Sequence, residues 1–196
     1  MLLVKIFFQK NAICFSTFIM FIMLNLSTFS ATKTWTVTGG GNWTTAGNWS
    51  PSGAPAADDD VIIPNLTNST TVISNVPQIT LGSLTFTGTG YSWLQAGSTG
   101  NILTIRNTFS VSSGHTVTLG ASGVRIVVTL STTCIGTLNG YCAFDAGNTN
   151  RLFTINGTLI VNSTGMSYDP NPTAGSDLVV NSGATLKTQK SQGFTC

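Results

Sequence analysis

From about residue 80 onward the chain is a series of short segments in which apolar and polar residues alternate, each bounded by Gly, Asn or Ser. This punctuation limits the folds open to it. The segments are Ser83 to Thr87, Ile102 to Ile105, Phe109 to Val111, Thr116 to Leu119, Val124 to Leu130, Leu152 to Ile155, Thr158 to Val161, Asp177 to Val180 and Thr185 to Lys187. Each is of strand length, and a period of two is the pattern of a strand with one buried face. Ser113-Gly114, Asn156-Gly157 and Ser182-Gly183 stand between them as turn formers that tolerate positive φ. Polar content comes from Thr, Ser, Asn and Gly, with no glutamate anywhere, so strong helix formers are scarce. The expectation is an all-β protein.

A repeat narrows the fold further. Val111 to Val117 (VSSGHTV) aligns with Val180 to Leu186 (VNSGATL), and a weaker copy begins at Val161. The offset from Val161 to Val180 gives a period of about 20, which suits one rung of a parallel β-helix, or β-solenoid. Strands this short cannot stand alone, but stacked rungs pair each one above and below at about 4.8 Å. On that spacing the chain beyond Pro64 holds about six rungs, roughly 30 Å of solenoid. A β-sandwich is the alternative, because its strands also recur at short intervals.

The segment 1–30 reads as a cleaved signal peptide. Lys5 and Lys10 precede an apolar stretch from Ala12 to Leu26, followed by small polar residues. The stretch is too short for a span of about 20 apolar residues, so no membrane span is expected after cleavage. Without Lys5 and Lys10, six Lys and Arg balance six Asp. The net charge of +2 belongs to the leader, and no basic patch is left for nucleic acid. The segment 31–64, rich in Trp, Gly and Pro, reads as an N-terminal cap in which Trp35, Trp43 and Trp49 cover the end of the stack. The segment 65–196 then forms the solenoid repeats. It stops at GFTC with no aromatic cap, as a fragment or an uncovered last rung would.

The stretch Gly41 to Pro64, GNWTTAGNWSPSGAPAADDDVIIP, carries tandem G-N-W and N-W-S elements, a Pro-containing loop, an acidic run and an apolar strand. It resembles the opening of repeat-rich surface proteins secreted by Bacteroidota bacteria. Many of those continue with pieces similar to Ile79 to Phe86 and Leu178 to Leu186. The resemblance implies a β-helical, adhesin-like region on the cell surface or in the secreted fraction. The C-terminal sorting domain that such proteins often carry is not seen here.

Few residues offer chemistry. Asp58, Asp59 and Asp60 are the densest charge and the weak candidates for Ca²⁺. No EF-hand or nonapeptide Ca²⁺ repeat accompanies them, so a turn with one carboxylate accepting backbone hydrogen bonds is the favoured reading, and no cofactor is expected. Cys134 and Cys142 are spaced to close a short disulfide loop in an oxidising compartment, with two buried or free thiols as the alternative. Cys196 has no evident partner. A polysaccharide lyase or glycosidase needs facing carboxyl groups, and outside the acidic run only Asp145, Asp169 and Asp177 are available. His115, the single histidine, sits in a Ser-Gly-His-Thr turn with no neighbouring nucleophile. Tyr91 and Trp93, in a Gly-flanked loop, are the candidates for stacking on a sugar, against the alternative that they cover an edge or pack inward. Thr-x-Thr pairs at Thr85 to Thr87 and Thr116 to Thr118 suggest a flat hydroxyl face that orders water, but the pairs do not recur in register. Together these features favour a non-catalytic extracellular structural or adhesive module. Surface glycans or matrix proteins would be its partners, and a carbohydrate-binding module is the alternative.

Overall fold

A computed structural model describes residues 30–64, 70–98, 100–120, 126–144, 152–162, 166–167 and 178–189. The expected leader lies outside these apart from Ser30, as do Arg125, Asp145, Arg151, Asp169, Asp177 and Cys196. Apart from one 3-10 turn at Ala46–Asn48, the regular structure among the described residues is strand. The N-terminal part holds β1 (Thr32–Trp35), β2 (Gly40–Asn42), β3 (Trp49–Ser50), β4 (Asp60–Pro64), β5 (Thr70–Val76) and β6 (Ile79–Thr87). The middle holds β7 (Gly90–Ala96), β8 (Asn101–Val111), β9 (His115–Leu119), β10 (Ile126–Leu130), β11 (Ile135–Leu138) and β12 (Tyr141–Phe144). Then come β13 (Leu152–Ile155), β14 (Thr158–Val161), β15 (Met166–Ser167), β16 (Leu178–Val180) and β17 (Thr185–Thr188).

Every pairing among these strands is parallel except β1 with β3, so the fold is a short parallel β-solenoid and not a sandwich. Each rung contributes to three faces. On the first face, residues 79–81 of β6 pair residues 103–105 of β8, and β10, β13 and β16 follow in order. The second face stacks β1, β4, the later halves of β6 and β8, then β11, β14 and β17. The third is a separate sheet in the order β2, β5, β7, β9, β12, β15. β6 and β8 run through the corner between the first two faces. There β6 shifts register between Leu81 and Ser83, and β8 exposes three successive residues, Arg106 to Thr108.

The core follows from alternation. Inward positions stack into columns such as Leu81, Ile105, Leu130 and Ile155, or Ile63, Phe86, Val111, Leu138 and Val161, nearly all fully buried. Burial of each such side chain is worth roughly 1.5–3 kcal/mol. The rings of Phe86 and Phe109 meet edge-on at 6.4 Å, and Phe109 reaches across to Phe153 at 6.0 Å. Gly136 occupies a column position beside this cluster, where a Cβ would stand 2.7 Å from Leu159 Cδ1. Its missing side chain makes room for that leucine.

The rung is longer than the expectation. Leu84 pairs Phe109, and Gly136, Leu159 and Leu186 follow it up the same column, so each rung takes about 25 residues and not about 20. The Ser-Gly motif misleads because it marks corners and not rungs. Val111 ends a second-face strand, so its turn leads to the third face; Val180 ends a first-face strand, so its turn leads to the second. Val161 also ends a second-face strand, and its offset from Val180 therefore connects two different corners. Both corners use the same chemistry, a backbone N–H reaching the rung below: Ser112 to Phe86 O, Asn156 to Leu130 O and Asn181 to Ile155 O, at 3.0 Å each. Asparagine side chains add a second ladder, with Asn162 Nδ2 donating to Asn139 Oδ1 (2.9 Å) and Asn181 Nδ2 to Asn156 Oδ1 (2.6 Å).

The tryptophan segment stands at the N-terminal end of the described ladder and is itself part of it. β1 and β2 are parallel partners of β4 and β5, and β3 turns back antiparallel along the free edge of β1. Trp35, Trp43 and Trp49 are buried and meet edge-on, with Trp49 at 5.0 Å from Trp35 and 4.8 Å from Trp43. Trp35 Nε1 donates to Val37 O and Trp49 Nε1 to Trp43 O.

Candidate functional site

Tyr91 and Trp93 lie within β7 and not in a loop. The glycines that flank them mark the strand's approaches; β7 itself alternates strictly, with Ser92, Leu94 and Ala96 buried and Tyr91 and Trp93 pointing out. Tyr91 is 52% exposed and Trp93 39%. Neither covers an edge, because β5 and β9 pair β7 on both sides. Register then brings other residues to the same surface. Thr70, Tyr91, Thr116 and Tyr141 form one outward column, and Val72, Trp93, Thr118 and Ala143 form the next. Tyr91 and Tyr141 stand two rungs apart, about 9–10 Å, and Trp93 is about 7 Å from Tyr91 along the strand. Tyr141, Thr116 and Thr118 join the site only through register. The signal for them is the equal spacing of Tyr91, Thr116 and Tyr141 in the sequence, which the shorter corner spacing obscures.

The acidic run has structural partners. Asp59 is buried, its Oδ1 accepting from Ala31 N and its Oδ2 from Ala56 N, both at 2.9 Å. It ties the start of β1 to the loop before β4, as the turn reading expects. Asp58, at φ 67°, donates its N–H to Thr80 O, and its carboxylate meets Arg106 at 2.5 Å across the intervening rung. Gly82 makes that passage possible, since a Cβ there would lie 2.6 Å from Asp58 O and 2.7 Å from Asp60 Oδ1. Among the described residues no group of three His, Cys, Asp or Glu side chains is placed to hold a metal.

The expected Cys134–Cys142 disulfide is not formed; both are free, buried thiols. The residues between them hold the whole of β11 and a corner, so Cys134 precedes a second-face strand while Cys142 belongs to the third face. Burial pushes the Cys134 thiol up to about 11, with a backbone hydrogen bond to Phe109 opposing, and the Cys142 thiol up to about 12. Neither is poised as a nucleophile.

His115 is likewise not a turn residue. It opens β9, is buried against Phe86, and has its Nε2 3.0 Å from Ser92 Oγ. Fold geometry thus creates a Ser–His contact that sequence separation hides, but both side chains are in the core. Desolvation lowers the imidazole pKa, with backbone hydrogen bonding at Thr87 and Gly88 only partly opposing it. A pair closed off in this way has no path to substrate.

Threonines do recur in register on the first face: Thr80, Thr104, Thr129 and Thr154 form one outward column. The Thr-x-Thr pairs conceal this, since it is the rungs and not the pairs that align. Beside the column, Ala57, Gln78, Ile79 and Ile102 complete a shallow depression whose lining carries no carboxylate. Among the described residues, no helix is long and apolar enough to cross a membrane. Compared with protein-family models, curated proteins and solved structures, the chain matches none.

Proposed function

We propose that this protein is a non-catalytic structural or adhesive module that works outside the cell, presenting the faces of a rigid solenoid to glycans or proteins of a surface or matrix. The observation that carries the reading is the use made of the reactive groups. Asp59 binds two backbone amides, Asp58 is paired with Arg106, Lys33 Nζ donates to Pro51 O, and His115, Cys134 and Cys142 are sealed in the core. Among the described residues, the outward positions of the third sheet carry hydroxyl, amide and aromatic side chains held on a parallel ladder. The leader-like segment 1–30 and the similarity of the Trp-rich opening to secreted surface proteins support the extracellular location.

Two measurements test this. Terminal sequencing of the exported protein should start near Ser30 or Ala31. The protein displayed on a non-adherent cell should make that cell adhere to glycan-coated or matrix-coated surfaces, without release of reducing ends from polysaccharide. Reducing-end release that Asp58→Asn abolishes would overturn the non-catalytic reading.

A further inference from the structure

The geometry points to a specific ligand class for the outer surface of the third sheet: a neutral, extended polysaccharide lying along the solenoid axis and stacked on Tyr91 and Tyr141, with Trp93 beside it. This rests on the extracellular module reading above.

The first reason is the cost of leaving these rings in water. The protein buries Trp35, Trp43, Phe86, Phe109 and Phe153 almost completely, yet holds Tyr91 and Trp93 outward on a strand paired on both sides. An isolated exposed apolar residue needs no explanation, but two rings on one strand with a third in register form a patch. The second reason is charge. Among the described residues, the outward positions of β5, β7, β9 and β12 are Thr70, Val72, Ser74, Asn75, Tyr91, Trp93, Gln95, Thr116, Thr118, Tyr141 and Ala143, with no ionisable group apart from the phenols. At these described positions an anionic polymer finds no cation, whereas a neutral one meets no unpaired charge. The third is the alternation of rings and hydroxyls. Along the column, Thr116 stands between Tyr91 and Tyr141, so a chain crossing the rungs meets a ring, a hydroxyl and a ring at intervals of about 4.8 Å. Sugar rings present an apolar face to the aromatic and equatorial hydroxyls to the polar neighbours. Finally, β7 is pinned by its ladder, so the rings are pre-organised and little entropy is lost on binding.

The test is affinity electrophoresis of the purified protein in gels containing hydroxyethylcellulose, xyloglucan or galactomannan, with polygalacturonate as the anionic comparison. At least one neutral polymer should retard the protein while polygalacturonate does not. Tyr91→Ala and Trp93→Ala should each weaken retardation about tenfold, the double variant should abolish it, and Ile135→Ala on the second face should leave it unchanged. Because all three positions are exposed, circular dichroism should confirm unaltered folding. Retardation by none of the neutral polymers, or equal retardation of native protein and double variant, overturns the proposal. So does sedimentation showing a native dimer that the double variant converts to monomer, which would make the face a contact between copies. Cell adhesion that survives in the double variant removes this face and keeps the module reading; a displayed native protein that never adheres removes the module reading itself.

Discussion

Replacing Gly157 with alanine should destabilise the protein by about 2–4 kcal/mol, through a contact between rungs. Gly157 sits in the Asn156-Gly157 corner between β13 and β14, directly over the longer corner formed by Ser131 to Cys134. An added Cβ would lie 2.3 Å from Cys134 O and 2.4 Å from Ser131 O. Both are backbone atoms already used: Cys134 O accepts from Thr158 N at 2.9 Å, and Ser131 O from Cys134 N at 3.0 Å. The corner must therefore lift. Overpacking of this kind costs about 1–3 kcal/mol, and a weakened hydrogen bond adds about 0.5–1.5 kcal/mol. With a urea m-value of about 2 kcal/mol/M, the midpoint should fall by roughly 1–2 M at unchanged m. Gly47→Ala is the control, because nothing lies within 4 Å of its added Cβ; it should stay within about 0.5 kcal/mol of the native protein. Equal midpoints for the two variants would refute the stacking of corner on corner.

Other outcomes follow from the same structure. His115 is held neutral by burial with its pKa lowered, so the unfolded state binds the proton more readily. Stability from this group is complete above its ordinary pKa of 6.5 and is lost as pH falls through the lowered folded value; urea midpoints across pH 7.5 to 4.5 should show the decline, and His115→Gln should flatten it. With their thiols pushed up to about 11 and 12, Cys134 and Cys142 should resist iodoacetamide at pH 8 in the native protein and react in 8 M urea, as peptide mapping will report. Trp49→Ala removes two edge-on ring contacts and the bond to Trp43 O, and should cost about 3–5 kcal/mol in urea unfolding.

The solenoid was legible where strands alternate cleanly and end in Gly, Asn or Ser. Leu152 to Ile155 and Thr158 to Val161 coincide with β13 and β14, and Ile102 to Ile105 and Phe109 to Val111 are the two halves of β8. Strands carrying few aliphatic residues were not legible. In β7 the inward positions include Ser92 and the outward ones Tyr91 and Trp93, so polarity runs against the usual pattern and the glycines suggest a loop. β11 was hidden in the same way, because its inward Gly136 has no side chain to bury. That omission is also what made a Cys134–Cys142 bridge look short. The candidate site was legible as two residues, Tyr91 and Trp93, and not as a surface. Thr116 and Tyr141 belong to it through the length of the rung. Rung length depends on which corner a turn occupies, a property of the closed fold that no local motif records.

The register of the third face is the claim on which the site depends. Inter-strand nuclear Overhauser contacts, measured on the uniformly labelled protein, test it directly. Contacts linking Tyr91 to Thr116 and Thr116 to Tyr141 are predicted, placing the two tyrosines two rungs apart on one column. Contacts linking Tyr91 instead to Val111, as the shorter repeat would require, would contradict the account.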